Sequence, residues 1–441
     1  MTDPHDIAPR TSKVPESLTD LPGYGIEPKP DEAYVAEGQQ AAHEWGVQYQ
    51  GSFEGEADGT ARAVRLHARA LHAAGIPVFL QSFTGRFRGA DGNIHSAEAT
   101  AARVKAEVAD LVHASIRSLR VRIKHAVIPH SDFLRSWVIP RSVMLERDPR
   151  AAQALMQALY KTTIIYSVWE RTTIDPNIAG ILRRVAECWV PSEHNAALLR
   201  EHGIERVTVV PHPWEPDSPL ARAIERKPLA EKRFYAIGIW QPRKGFHELL
   251  GAFLTAFQPG DRVHLTIKYQ EYRWPGYPGP EESIAHWLAD PSVRTNGWRE
   301  DNLKPHLGLY GKHWPEDKIH ALHFASNIYV SSSHGEAYGL PAFDAKLCGN
   351  RLIHIPWGGS ADFSDAFDVA LPYALEAVPA SYRWEPGARW ASLDFGALVT
   401  ALRFVAVPPV YERNPRVEAC RFDHVGRSMR ERVEAVLKSS S

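Results

Sequence analysis

Residues 328–350 of this 441-residue chain read IYVSSSHGEAYGLPAFDAKLCGN. The first four, Ile328–Ser331, are mostly apolar and β-branched, which predicts a buried parallel strand. Pro341 suits the first turn of a helix, because its missing amide hydrogen would have no partner there, and Gly349 suits a left-handed helix stop. The stretch therefore predicts a strand, a glycine-bearing loop and a helix N-terminus.

A loop of this kind can hold an anion, since the first amides of the helix and the helix dipole point toward it. Glu336 lies in the loop and Asp344 lies one turn inside the helix, so two carboxylates flank those amides. Amides for phosphates and carboxylates for hydroxyls together match a sugar nucleotide. An ordinary βα turn with a solvated glutamate has the same order of elements, so the choice between them depends on the rest of the chain.

Length and composition set the outer limits. A chain of 441 residues is too long for one ordinary core, so we expect two domains. A net charge of −1 gives no electrostatic case for nucleic acid or an anionic membrane. We find no apolar run long enough to span a bilayer and no apolar signal region at the start. The three separated cysteines indicate reduced, buried thiols, and we expect a cytoplasmic protein.

The chain alternates strands with helices, which predicts an α/β fold of two doubly wound, Rossmann-like domains with parallel sheets. Four prolines within residues 211–219 interrupt the alternation and predict a linker. We expect the following divisions: an irregular or disordered lead-in (1–40), a first domain (41–213), a second domain (214–420) and a terminal helix that packs back on the first domain (421–441).

The predicted elements of the first domain include a helix over 97–114 and a strand over 126–128. The basic residues 117–124 between them are interpreted as a solvated face leading into that strand, with contact to an anionic acceptor as the alternative.

Two facing domains place a ligand cleft at the carboxyl ends of their strands. Arg243 and Lys244 follow the first strand of the second half, so we expect them on the same rim as Glu336. Arginine can fork onto phosphate oxygens and lysine supplies a compact charge. The turn Gly358-Gly359 follows a further strand. A solvated surface pair explains Arg243 and Lys244 taken alone, but these features on one rim favour a phosphate site.

From about Trp45 to about Phe363 the chain resembles the family 4 (group 1) glycosyltransferases, which have the GT-B fold. WQPRKGF (residues 240–246) is similar to the family's phosphate loop, and EAYGLPAFDA (residues 336–345) is similar to its Glu-x7-Glu motif. Shorter matches are Gly358-Gly359 and residues 169–170, 190–192 and 209–213. Asp344 stands where the family has a second glutamate, and Ile239 stands where it often has an arginine.

The resemblance implies transfer of a sugar from a nucleoside diphosphate sugar, with retention of anomeric configuration. Glu336 would contact the donor sugar and Asp344 the ribose hydroxyls. Preorganised cations and amides would stabilise the departing phosphate, and we assign this role to Arg243 and Lys244. The further donor-binding candidates are Tyr338, Gly339, Leu340, Gly358 and Gly359. We expect both cations to be exposed.

We predict no metal and no other cofactor. The metal-dependent glycosyltransferases of the other large fold use an Asp-x-Asp motif, and Asp365-Ala366-Phe367-Asp368 lacks that spacing.

The acceptor side is less defined. Its candidates are Gly51, Ser52 and Phe53, in a loop that is unusually acidic, together with Trp169 and Glu170 after a strand. Packing explains Trp169 at least as well. His130 is a further catalytic candidate, and a structural histidine explains it equally. The sequence does not identify the sugar, the base, the oligomeric state or the acceptor, which could be a glycan, a lipid-linked glycan, a protein, a small molecule or a nucleic acid.

Two other functions stay open. The first is a catalytically silent protein that binds sugar nucleotides or acts as a scaffold, which would apply if Ile239 and Asp344 disable the site. Another GT-B enzyme, such as an epimerase or a phosphorylase, is the second, although we see no cofactor-lysine signature of a phosphorylase. A nicotinamide dehydrogenase is disfavoured, since no Gly-x-Gly-x-x-Gly follows a strand.

Overall fold

The computed structural model describes residues 43–53, 59–81, 106–112, 114, 116–125, 149–225, 228–382 and 384–440. The predicted lead-in over 1–40, the predicted strand over 126–128, the acidic residues 54–58 and His130 lie outside the described residues. Most of the predicted helix over 97–114 does so as well.

Strands and helices alternate along most of the described part of the chain. The strands are β1 (Gly46–Gly51), β2 (Val78–Gln81), β3 (Leu119–His125), β4 (Thr163–Tyr166), β5 (Glu187–Val190), β6 (Val207–Val209), β7 (Lys232–Ile239), β8 (Val263–Gln270), β9 (Leu307–Tyr310), β10 (Ile328–Ser331), β11 (Arg351–His354), β12 (Val369–Ala370), β13 (Leu375–Ala377) and β14 (Arg389–Ala391).

The longer helices cover the strand connections on both sides of the linker. They are Gly59–Ala73, Pro149–Thr162, Pro176–Leu182, Glu193–Glu201, Phe246–Ala256, Pro280–Ala289, Glu316–Phe324, Leu340–Leu347, Phe395–Phe404 and Phe422–Ser440. Helices of four or five residues are Ala109–Val112, Pro219–Arg222, Pro291–Thr295, Glu300–Leu303, Ser360–Phe363 and Pro415–Glu418.

Twelve of these fourteen strands form two six-stranded parallel sheets, which confirms the predicted fold class, and β13 and β14 form a separate antiparallel pair. The first sheet has the order β2-β1-β3-β4-β5-β6 and the second β12-β11-β10-β7-β8-β9. Counted from β7, the second sheet has the strand order of a dinucleotide-binding Rossmann domain. Its topological switch point lies between β7 and β10, and in such sheets ligands bind beside that point at the carboxyl ends of the strands.

One interpretation of the basic segment is wrong. Residues 119–125 are not a solvated face but the strand β3, which lies between β1 and β4 in the first sheet. Val121 and Ile123 have no exposed surface, and Lys124 is also buried.

The last helix returns to the first half of the chain. Phe422–Ser440 packs Val425, Met429 and Val433 into the apolar core that also contains Val47 of β1 and Leu71 of the helix Gly59–Ala73. Within the described residues the chain thus crosses between the halves in the proline-rich segment after β6 and again before this helix.

None of the helices in the described ranges is long and apolar enough to cross a membrane.

Candidate functional site

The predicted phosphate loop and the Glu336 loop flank the switch point of the second sheet. Arg243 and Lys244 lie in a short 3₁₀ turn after β7, and Glu336 follows β10, the neighbouring strand. Because both strands are parallel, the two loops leave the same edge of the sheet.

The two loops are hydrogen-bonded to each other through backbone and side-chain groups. His334 N–H donates to the Arg243 carbonyl at 2.7 Å, and the Ser332 hydroxyl donates to the Lys244 carbonyl at 2.7 Å. Gly245 has φ +62°, and a Cβ there would approach the Ser332 carbonyl oxygen to 2.6 Å. Glycine at this position therefore allows the close contact that brings the two cations to Glu336.

Four charged side chains form one network across the two halves of the molecule. Lys244 Nζ bonds to Glu336 Oε1. Arg243 Nη1 lies 3.7 Å from Glu336 Oε2 and 3.0 Å from Glu170 Oε1, and Glu170 belongs to the first half. The same Nη1 donates to the Gly335 carbonyl at 2.6 Å. The expectation that both cations are exposed is wrong, because Arg243 is only 7% exposed and the Lys244 side chain 13%.

The electrostatics of the two carboxylates differ. Burial disfavours the charged form of Glu336, but the positive charges of Lys244 and Arg243 outweigh it and lower the pKa of Glu336. Burial raises the pKa of Glu170 in spite of Arg243, and the charge of Glu336 adds to that rise. Glu336 is therefore the carboxylate that stays ionised, and Glu170 is the one that takes up a proton more readily.

Asp344 already has a partner from the first half of the chain. Arg62, on the helix Gly59–Ala73, donates to both carboxylate oxygens, at 2.6 and 3.0 Å. The Asp344 side chain is 6% exposed and that of Arg62 is 22% exposed. Arg62 holds the pKa of Asp344 below its usual range against the effect of burial. A ribose can therefore bond to Asp344 only by sharing or displacing Arg62.

Gly358 and Gly359 lie against the backbone of the Glu336 loop. Gly358 pairs with Glu336 in an isolated parallel bridge, and the Gly359 amide donates to the Glu336 carbonyl at 2.9 Å. A Cβ at Gly358, which has φ +128°, would come within 2.3 Å of that carbonyl oxygen. This turn therefore supports the shape of the loop that carries Glu336.

Of the other donor-binding candidates, one lies in the apolar core and others lie at the start of a helix. Tyr338 is 3% exposed, with its ring packed on Phe343 and its hydroxyl 3.7 Å from the Cys420 sulfur, so it offers little surface to a ligand. Gly339, at φ +87°, precedes the helix Leu340–Leu347. The first amides of this helix have no partner inside it and are available to an anion.

The acceptor-side candidates lie at the carboxyl edge of the first sheet. Gly51 ends β1, Phe53 is buried and accepts a bond from Arg65, and Ser52 between them is partly exposed. Trp169 is 1% exposed and is part of the first-half core, so packing explains it. Glu170 is the candidate that reaches the second half.

Three residues of the site were missed by sequence reasoning. They are Arg62, Tyr382, whose hydroxyl accepts the Arg243 amide at 2.8 Å, and Glu385, which forms a two-pronged pair with Arg171. Arg62 carried a signal, since it is a charge on the apolar-periodic helix that follows the candidate acceptor loop. Tyr382 and Glu385 lie far along the chain and carried none.

The described residues contain no group of three or more histidine, cysteine, aspartate or glutamate side chains that could hold a metal. Lys346 Nζ bonds to Asp365 at 2.8 Å and to Asp368 at 2.9 Å, so a lysine ammonium lies between the two aspartates considered above. All three cysteines are free and buried, as expected.

Neither a protein-family profile nor a curated protein sequence matches the chain. Solved structures do. Sucrose-phosphate synthase from Thermosynechococcus elongatus matches with 17% identity and TM-score 0.48 over 89% of this chain and 95% of that chain. HepE of Anabaena, in complex with UDP and glucose, matches with 11% identity and TM-score 0.48 over 90% and 98%. TarM of S. aureus, in complex with UDP, matches with 13% identity and TM-score 0.37, and there the match spans 63% of this chain and 50% of that chain.

The two parallel sheets, joined near their carboxyl edges by the Arg243–Glu170 and Arg62–Asp344 contacts, form the two-domain, Rossmann-like architecture predicted from the sequence.

Proposed function

We propose that this protein is a retaining glycosyltransferase of the family 4 type, which transfers a sugar from a nucleoside diphosphate sugar to an acceptor hydroxyl. One observation carries the proposal. Two cations after β7 and a carboxylate after β10 meet beside the switch point of a Rossmann-type sheet, where such sheets bind nucleotides.

The chemistry follows from the charges that develop during transfer. The departing diphosphate gains negative charge, and Arg243, Lys244 and the first amides of the helix Leu340–Leu347 stabilise it. The anomeric carbon gains positive charge. Glu336 stays ionised because its pKa is lowered, so it stabilises that charge or accepts a bond from a donor hydroxyl. Asp344 binds the ribose in exchange for part of its contact with Arg62.

The cations are side chains of the protein, so the proposal includes transfer without a metal ion. This part of the proposal is tested by measuring transfer in excess chelator, where we expect activity to persist. Loss of activity in chelator with rescue by magnesium or manganese contradicts this part of the proposal.

The proposal is tested by incubating the protein with UDP-, GDP-, ADP- and dTDP-sugars and measuring thermal shift and nucleotide release. We expect one class to raise the melting temperature and to release its nucleoside diphosphate, slowly to water and faster to an acceptor. Binding without release, to any acceptor or to water, favours the silent binding protein instead. Interconversion of the sugar without release favours an epimerase.

A further inference from the structure

Residues 169–173 bridge the two halves of the molecule between β4 and the helix Pro176–Leu182. The bridge is held in the first half by a reciprocal pair of hydrogen bonds. The Trp169 amide donates to Asn195 Oδ1 at 2.9 Å, and Asn195 Nδ2 donates to the Trp169 carbonyl at 2.8 Å.

The other side of this bridging segment contacts the second half. Arg171 donates to both carboxylate oxygens of Glu385, at 2.6 and 2.7 Å, and the Thr172 amide donates to the Arg389 carbonyl at 3.1 Å. A Cβ on Gly335 would approach the Glu170 carbonyl oxygen to 2.4 Å, so the segment lies directly on the Glu336 loop. Glu170 is thereby fixed beside Arg243.

The charges at this point sum to zero. Arg243 and Lys244 carry two positive charges, and Glu170 and Glu336 carry two negative charges. A bound diphosphate brings at least two more negative charges into a mostly buried site, where repulsion is stronger than in water. One carboxylate must therefore leave Arg243 or lose its charge. Glu170 is the more exposed of the two, at 29% against 15% for Glu336.

We propose that Glu170 is the counter-ion of Arg243 in the unliganded protein and that the diphosphate of the donor replaces it there. This inference rests on the proposed function and adds a residue that regulates access to the phosphate site. Glu170 is paired with the Arg243 guanidinium that the diphosphate of the donor would contact. Every donor must therefore compete with Glu170 for Arg243. The bridging segment then connects donor occupancy to the contact between the halves.

The competition depends on pH. Among the described residues, the charged and titratable groups around Glu170 are Arg243, Lys244, Glu336 and Tyr382 on the second half and Arg171 on its own segment. An ionised Glu170 competes with the donor and a protonated one does not. The competition is therefore strongest above the pKa of Glu170 and disappears as the pH falls below it. A nucleoside diphosphate sugar is a suitable probe, because its diphosphate diester does not titrate between pH 5 and 8.

The test is calorimetry with UDP-glucose, GDP-mannose and ADP-glucose on the wild type, Glu170→Gln and Glu385→Gln, at pH values from 5 to 8. Glu170→Gln removes the competing charge with almost the same shape, and we expect it to bind the donor about tenfold more tightly at pH 8, with a smaller gain as the pH falls toward the pKa of Glu170. Glu385→Gln loosens the same segment but leaves the partner of Arg243 in place. We expect it to bring no such gain.

Three results contradict the inference alone: an unchanged affinity in Glu170→Gln, a gain that becomes larger as the pH falls, or an equal gain in Glu385→Gln. Binding to Glu170→Gln without detectable binding to the wild type supports it. If neither these probes nor a dTDP-sugar binds to any of the three proteins while all melt cooperatively, the proposed function fails and this inference fails with it.

Discussion

At the candidate site, pairs of charged side chains join the two halves, and Arg62 with Asp344 is the clearest example. This ion pair contains two hydrogen bonds, and both side chains are mostly buried. It joins the helix Gly59–Ala73 of the first half to the helix Leu340–Leu347 of the second half. Removing one partner of such a pair leaves a charge with no counter-charge in a region of low water access.

We therefore predict that Asp344→Asn lowers the free energy of unfolding by about 3 kcal/mol. The pKa of Asp344 is lowered in the folded protein, so this stabilisation is present above the unfolded pKa and is lost as the pH falls through the folded one. Urea unfolding at pH 7 and pH 3 measures both effects. Arg200→Ala is the control, since its pair with Glu193 is exposed and should contribute less than about 0.5 kcal/mol. Equal losses in the two variants would count against the Arg62 contact.

A second residue-scale prediction concerns Glu336. Its carboxylate stays ionised, and in the proposed transfer it lies near the carbon that gains positive charge, so its effect should appear in the transition state. Glu336→Gln should lower kcat by more than about tenfold, a loss above roughly 1.4 kcal/mol. The affinity for free nucleoside diphosphate should not fall, because the substitution removes a negative charge beside Arg243 and Lys244. Wild-type turnover in this variant would remove Glu336 from the mechanism.

At the scale of elements, the loop after β10 keeps its shape through contacts with a glycine turn. Gly358 and Gly387 both have positive φ, but only Gly358 has a backbone oxygen within reach of a Cβ, the Glu336 carbonyl. The described structure places no atom within 4 Å of a Cβ at Gly387. The two glycines therefore separate backbone strain from displacement of the loop.

We predict that Gly358→Ala lowers both stability and donor affinity, whereas Gly387→Ala lowers stability by the strain alone, about 1 kcal/mol. Thermal melting and a donor titration on the two variants distinguish these effects. If Gly387→Ala weakens donor binding as much as Gly358→Ala, the turn has no special relation to the Glu336 loop.

The elements were predictable to different degrees. The strand Ile328–Ser331 and the helix after Pro341 were read correctly, because an apolar run, a proline and a stop glycine coincide there. Strand β3 was not predicted, because its run of basic residues is typical of a solvated face. Leu119, Val121 and Ile123 nevertheless alternate with those basic residues at the period of a strand. The partners of Arg243 and Asp344 could not be predicted, since Glu170 and Arg62 approach from the other half through tertiary packing.

On the scale of the whole molecule, a group of buried histidines lies between the first sheet and the proline-rich linker. The ring of His67 is centred 5.4 Å from His125 and 5.3 Å from His212, and His212 meets Tyr338 of the second half edge-on at 4.7 Å. Burial lowers the pKa of His67 to about 4 and also lowers the pKa of His125 and of His212.

We predict that acid destabilises the protein through these histidines. The unfolded chain binds protons at the imidazoles below about pH 6.5 while the folded protein does not, so stability falls as the pH drops from 6.5 to 4. For His67 alone, we expect the free energy of unfolding to be about 3 kcal/mol lower at pH 4 than at pH 7. Melting temperatures between pH 7 and 4 measure the slope, and His67→Gln should reduce it. The exposed His424→Gln is the control. An unchanged slope in His67→Gln would contradict the assignment.

Binding of the diphosphate of a sugar nucleotide at the switch point of the second sheet can be measured by calorimetric titration with UDP, GDP and ADP. The proteins are the wild type and two variants, Lys244→Ala and Lys304→Ala. Each variant removes one positive charge, the first from the candidate site and the second from an exposed position before β9. We predict that at least one nucleotide binds to the wild type, that Lys244→Ala binds it more than about tenfold more weakly, and that Lys304→Ala binds it unchanged. Equal affinities in all three proteins, or no binding of any nucleotide to either the wild type or Glu170→Gln, would contradict this assignment.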